Sequence, residues 1–242
     1  MRLRSPFSCV LWDVDGTLVD ASEGILRRLT ITLEHFGRTP PTRGELSRWI
    51  GPPMFESFQV NVGMTPEEST EAVAFYRGLN KSEGYTVSAK LYPGVADLVH
   101  DLHAAGVPQS TASSKPEVQV IALMDHFGLA PDLEAIVGAS LDERSLSAKS
   151  DIVREALRRL EANGVDTSRP VLIGDRHHDV EGGQDAGVPV IFVRWGFSWP
   201  YEADGAQAAV DDIDGLRALL LVDDAASDDA ASDDAEGVTT GV

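Results

Sequence analysis

A chain of 242 residues is long enough for one large domain or two small ones. Its formal charge is −19; seven of the negative charges fall in residues 223–242, and the −12 left on residues 1–222 argues against nucleic acid and anionic membrane surfaces as partners. With 43% apolar residues, a single cysteine (Cys9, read as a buried inert thiol) and no apolar run of signal-peptide or membrane-helix length, the chain is expected to be soluble, cytoplasmic, and a monomer or weak homodimer.

Short apolar runs alternate with helical patterns. Residues 7–12 read as a strand that runs into Asp13. Ser22 is expected to cap a helix over 23–36, with apolar residues at 25, 26, 29, 33 and 36. Thr42 with Glu45, and Thr65 with Pro66 and Glu68, are capping-box patterns. Helices are predicted over 95–105, 116–127 and 149–160, with glycine or Asn-Gly stops after each. Further strands are predicted over 107–112, 133–137, 170–175 and 190–193. This alternation implies an α/β fold: a Rossmann-like parallel sheet with helices on both faces.

One gap breaks the rhythm. The first strand ends at Asp13 and the next begins near Val107, whereas a simple crossover needs only ~30 residues. Residues 20–92 therefore read as an inserted α-helical cap, with the α/β core over 1–19 and 93–222. The repeat "DDAASDDAASDD" opens a tail, 223–242, expected to be disordered and solvating. The segment "VPQSTA", 107–112, is unusually polar for a strand beside the central one, and Pro108 lacks a donor.

In an open parallel sheet, ligands bind at the carboxyl ends of the strands. Those ends carry Asp13 and Asp15, then Ser113, Ser114 and Lys115, then Lys149, and finally Asp175 with Asp179. Carboxylates gathered at one point need a cation, and hard oxygen ligands with no cysteine nearby suggest Mg²⁺. A phosphate would complete its coordination. Lys149, in a first helical turn, opposes the macrodipole at a cost of ~0.3–1 kcal/mol. A compact ammonium aimed at a phosphate explains it better than helix stability does. The chain has only four lysines, and Lys115 and Lys149 both fall at this crevice. Ser113, with Ser114 beside it, precedes a helix N-terminus, where hydroxyl and N–H groups can hold phosphate oxygens.

The stretches "DVDGTLVD", "TASSKPE", "LSAKSDIVREAL" and "GDRHHDVEGGQDAG" resemble, in order, the four motifs of the haloacid dehalogenase superfamily. The resemblance covers residues 7–197, with the helical cap inserted after the first strand. The cap stretch "WIGPPMFESF" and the "GDRHHD" form look most like the branch that holds phosphoglycolate phosphatases and related 5′-nucleotidases. The resemblance implies that Asp13 attacks phosphorus to give an aspartyl-phosphate, and that Asp15 protonates the leaving oxygen and then activates water. It implies Mg²⁺ held by Asp13, the Asp15 carbonyl and Asp175, with Asp179 in support, and a transferring phosphoryl group bound by Ser113 and Lys149. Substrate choice would lie with the cap turn: Arg48, Gly51, Pro52 and Glu56.

The same residues fit other chemistries less well. A calcium loop needs Gly and Glu where Leu18 and Gly24 stand. The metal-binding pair of a sugar-nucleotide transferase, or a plain Asp-Gly turn, leaves the Lys149 and Asp175 motifs unexplained. Asp179 alone reads as an N-cap for the helix before Gly187, and can do both. His177 and His178 suit a surface or supporting role, since a hard-oxygen site does not call for them. A dehalogenase has no need of Asp15, and a phosphonate-cleaving relative would need a lysine that residues 20–80 lack. A phosphomutase would keep every motif, but Gly16-Thr17 favours hydrolysis. A non-catalytic phosphate-binding regulator would be signalled by a lost site residue, and none is missing.

Overall fold

The computed structural model describes residues 3–141 and 145–223. A five-stranded parallel sheet forms its centre, in the order β10 (Ala208–Val210), β9 (Val190–Val193), β8 (Pro170–Gly174), β2 (Cys9–Trp12), β5 (Gln109–Thr111). β2 is buried along its whole length because both of its faces are covered. Val10 and Trp12 point to one side, where α4 (Val95–Ala104), α5 (Glu117–His126) and α8 (Ile213–Leu220) pack. Cys9 and Leu11 point to the other, toward α6 (Lys149–Ala162) and α7 (His177–Ala186). The period-two side-chain alternation of a strand thus feeds two apolar layers.

Between β2 and β5 the chain leaves through β3 (Val19–Asp20) and returns through β4 (Lys90–Leu91), which pair antiparallel as a two-stranded ribbon. The inserted segment is helical: α1 (Ser22–His35), a 3₁₀ turn (Arg43–Arg48), α2 (Met54–Val62) and α3 (Pro66–Glu83). Its buried Ile25, Leu29, Phe58 and Tyr76 belong to the same apolar cluster as the α4 side of the sheet. Thr65 and Glu68 form the expected capping box, with Pro66 in the first turn. Ser22, expected as a cap, is instead the first residue of α1, and its N–H is taken by the Asp20 carboxylate at 2.9 Å. The Thr42–Glu45 pattern starts a 3₁₀ turn rather than an α-helix, with Glu45 accepting from the Thr42 N–H at 2.9 Å. β1 (Leu3–Arg4) pairs with β11 (Val222–Asp223), so Asp223 lies in a strand rather than in the tail. The rest of the expected tail, 224–242, lies outside the described residues.

The polar strand is resolved by its neighbours. Gln109 accepts from the Trp12 indole N–H at 3.0 Å and donates to the Val99 carbonyl at 2.9 Å. The Thr111 hydroxyl takes both backbone groups of Val137, at 2.7 and 2.9 Å. Pro108 needs no donor there, because its carbonyl serves the Val10 N–H at 3.0 Å. These side-chain bonds correct the expected strand over 133–137. Apart from one bridge between Ser110 and Ala135, that segment is irregular, and a strand pair forms only beyond it, with a shift in register, where β6 (Ser113–Pro116) meets β7 (Gly138–Ala139). Arg159 and Asn163 of α6 and its end take the Ile136 and Glu134 carbonyls, so the backbone is satisfied without a full ladder.

Candidate active site

Asp13 is the first residue past β2, and its N–H donates to the Ile173 carbonyl of β8 at 2.9 Å. The chain then folds tightly, with the Val14 carbonyl accepting from Leu18 and Val19 at 3.0 and 2.8 Å. Gly16 has φ +94, and a Cβ on it would stand 2.2 Å from an Asp175 oxygen. Only glycine lets this loop lie against that carboxylate. Asp175 is fully buried and is held by the Phe197 N–H at 2.7 Å and the Thr17 hydroxyl at 3.4 Å.

Asp13, Asp175 and Asp179 each offer a carboxylate oxygen within 4.8 Å of the others, and all three are buried. Lys149 is the first residue of α6; its Nζ lies 2.7 Å from Asp13 Oδ1 and 2.6 Å from Asp179 Oδ1. One ammonium against three carboxylates leaves negative charge in excess. The consequence is visible in the acids: burial pushes Asp13 up to about 6 against the pull of Lys149. Burial, with Asp179 and Asp13 close by, raises Asp175 well above the ordinary carboxylate range. Burial works against the Lys149 ammonium, but Asp13 and Asp179 outweigh it and hold its pKa above the ordinary value. A cluster of hard oxygens short of positive charge fits a small divalent cation.

Asp15 faces elsewhere. Its Oδ2 is 2.6 Å from Lys115 Nζ, and its Oδ1 is buried with no hydrogen-bond partner. The carboxylate therefore stands apart from the three-acid cluster, which leaves the backbone carbonyl as the atom through which Asp15 would reach a metal. In the sequence Lys115 stands out only by its position at the crevice. Its pairing with Asp15 crosses 100 residues of sequence and has no local signal. Ser113 is buried, and its Oγ accepts from the Lys115 N–H at 3.3 Å. Asp179 is the third residue of α7 rather than its N-cap, and it caps the helix start from inside, its Oδ2 accepting from the Arg176 N–H at 2.9 Å.

A cavity opens over these groups. Asp13, Asp15, Ser113, Ser114, Lys115 and Asp179 form its floor. Across from them lie Ile25, Trp49, Met54 and Tyr76, with the turn at Gly51, Pro52 and Pro53. Two expected specificity residues are not part of it. Arg48 and Glu56 are exposed and line neighbouring grooves, whereas the nearer neighbours of the turn, Trp49 and Met54, line the cavity itself. Trp49, by contrast, is buried edge-on against Phe58. His178 lines the cavity, and burial, with His177 and Arg176 adding, lowers its pKa to about 4. His177, His178 and Glu181 form a second, more exposed group of possible ligands within 4.8 Å of one another.

A sequence profile described as haloacid dehalogenase-like hydrolase matches residues 10–193. The tyrosine-protein kinase PtkA of Mycobacterium tuberculosis is 35% identical over 78% of this chain, which spans only 62% of PtkA. A 5′-nucleotidase of Pseudomonas aeruginosa is 32% identical over 78% of this chain and 83% of its own length. A plasmid-borne phosphoglycolate phosphatase of Cupriavidus necator is 31% identical over 89% of this chain and 94% of its own. The crystal structure of a predicted phosphatase from Clostridium acetobutylicum superposes with a TM-score of 0.80 at 34% identity, covering 87% of this chain and 96% of that one. Among the described residues, no helix is long and apolar enough to cross a membrane.

Proposed function

This chain belongs to the haloacid dehalogenase-like hydrolases, and from that premise we propose that it is a Mg²⁺-dependent phosphomonoester hydrolase working through an aspartyl-phosphate on Asp13. The observation that carries this reading is the separation of two carboxylates two residues apart. Asp13 lies in the acidic cluster against Lys149, while Asp15 lies outside it against Lys115 with one oxygen uncommitted.

A carboxylate oxygen of Asp13 attacks phosphorus in line with the ester oxygen, and the P–O bond to the leaving group breaks. Asp15, protonated at the start of the cycle, delivers that proton to the departing oxygen. It then takes a proton from water as that water attacks the aspartyl-phosphate; inorganic phosphate leaves and the Asp13 carboxylate is restored. Lys149 and the Ser113 and Ser114 segment hold the phosphoryl oxygens. Asp13, the Asp15 carbonyl, Asp175 and Asp179 would hold Mg²⁺, which supplies charge neutralisation at the phosphoryl group.

Residues 20–92 serve as the cap and 1–19 with 93–222 as the core. Ser88, with φ +64 just before the β3–β4 ribbon closes, suits a hinge. The substrate is a small phosphorylated metabolite, and the breadth of the Cupriavidus match supports a phosphoglycolate phosphatase-like activity. A second reading, nucleoside monophosphate hydrolysis, draws on the apolar and aromatic wall of Ile25, Trp49, Met54 and Tyr76, which suits a planar leaving group. One buried thiol suits a reducing compartment such as the cytoplasm.

Initial rates on phosphoglycolate, nucleoside monophosphates, hexose phosphates and p-nitrophenyl phosphate, with and without Mg²⁺, test the proposal. Turnover of at least one ester only with Mg²⁺ is expected. Full activity in excess chelator would remove the Mg²⁺ assignment, and no turnover of any ester would refute the proposal.

A further inference from the structure

Arg176 follows Asp175, yet its side chain turns away from the acidic floor. Its Nε donates to Glu202 Oε2 at 2.8 Å and one Nη to Oε1 at 3.1 Å; each residue is only 4% exposed. The other Nη donates to the carbonyl of Ile50, 126 residues away in sequence. Glu202 also accepts from the His177 N–H at 3.4 Å and lies 3.1 Å from His177 Nδ1. Gly51, at φ +111, brings the cap turn down onto this guanidinium: a Cβ there would stand 3.2 Å from an Arg176 nitrogen.

Stability does not explain an ion pair buried this deeply. The cost of desolvating both charges offsets most of their attraction, and an apolar pair would serve as well. A guanidinium gripped along one edge by a carboxylate does something an apolar pair cannot. Its remaining N–H groups are aimed in a fixed direction, and here that direction is a carbonyl of the cap turn. The loop carrying Glu202 also carries Phe197, whose N–H holds Asp175 at 2.7 Å, and Trp195, whose indole donates to the Thr17 carbonyl at 3.1 Å. One loop thus fixes a candidate metal ligand directly and the cap turn through Arg176.

We propose that Arg176 is a positioning residue which, clamped by Glu202, latches the Ile50 turn of the cap over Asp13. Opening the cap then breaks the Arg176–Ile50 hydrogen bond and leaves the Arg176–Glu202 pair together, so neither charge is stranded. The consequence for catalysis rests on the phosphatase reading; the latch does not.

The test uses Arg176→Lys, Arg176→Met and the double variant Arg176→Met/Glu202→Met, which removes both charges and so avoids an unpaired buried carboxylate. Two quantities are read: amide hydrogen exchange over residues 49–58 against residues 95–104 of α4, and KM and kcat for p-nitrophenyl phosphate in Mg²⁺. In the double variant, exchange over the cap segment should rise at least about tenfold with α4 unchanged, and KM should rise about tenfold with kcat changed less than about threefold. Arg176→Lys should fall between it and the unaltered protein, since an ammonium can reach the carbonyl but cannot keep both grips. Unchanged exchange over the cap segment, whatever happens to the thermal midpoint, overturns the latch. So does a fall in kcat at constant KM, which would mean that Arg176 acts through Asp175. If the unaltered protein fails to hydrolyse p-nitrophenyl phosphate, exchange still decides the latch, and the phosphatase reading is judged by the wider ester screen.

Discussion

Asp13 and Asp179, which line the cavity floor, form one buried cluster with Asp175 and Lys149, whereas the wall opposite presents Ile25, Trp49, Met54 and Tyr76. Charge is expensive to bury, so a floor of this kind persists only if it does something an apolar floor could not. It matches a phosphoryl group and a cation, which are the same for every phosphate ester. The wall can match only what differs among esters, the leaving group. Changes to the floor should therefore depress all substrates together, and changes to the wall should redistribute rates among them.

The largest effect is expected for Asp13→Asn. Asn keeps the shape but is a poor nucleophile, so kcat on any good ester should fall at least roughly a thousandfold, with far-UV circular dichroism unchanged. Residual activity within tenfold of the unaltered protein would remove the covalent role. Lys149→Met comes next. It should lower kcat/KM by about a hundredfold or more, by a similar factor for each ester in a panel. A loss that depended on the leaving group would place Lys149 with the wall instead of the floor.

The floor also predicts a pH signature. Asp13, held up to about 6, and Asp175, held well above the ordinary carboxylate range, bind protons more tightly when folded than when unfolded. Stability in excess chelator should therefore fall as pH rises from about 4 to about 6, because the folded state resists losing those protons. Mg²⁺ would take over their neutralising role, so the rise in thermal midpoint on adding Mg²⁺ should be small near pH 5 and grow toward pH 7. Melts with and without Mg²⁺ across that range would show it, and an equal rise at every pH would contradict the assignment of the acidic cluster as the metal site.

The smallest effect concerns the wall. Met54→Ala should change the ratio of kcat/KM between a bulky and a small ester by about threefold to tenfold, the scale of a few methylenes in a pocket. Arg48→Ala, outside the cavity, should change that ratio by less than about twofold. Equal shifts from both substitutions would erase the distinction between wall and flank.

By itself the sequence determined the regular parts of this protein and the residues at the strand ends. β2, β8 and β9 announce themselves as short apolar runs because both faces of each are covered, and Asp13, Lys149, Asp175 and Asp179 follow from where those runs and the helix signals stop. Spacing along the chain carries that information. The rest was decided by contacts between distant segments, which leave no period to read. The Thr111 hydroxyl replaced part of a strand ladder over 133–137 because it reaches Val137, and Gln109 is polar because Trp12 and Val99 need its amide. Lys115 on Asp15, and Glu202 on Arg176 and thence Ile50, are likewise unions of side chains from separate loops. The wall depends on which way the turn at Gly51 and Pro52 faces, and its apolar residues look like ordinary core until tertiary packing sets them opposite the acids.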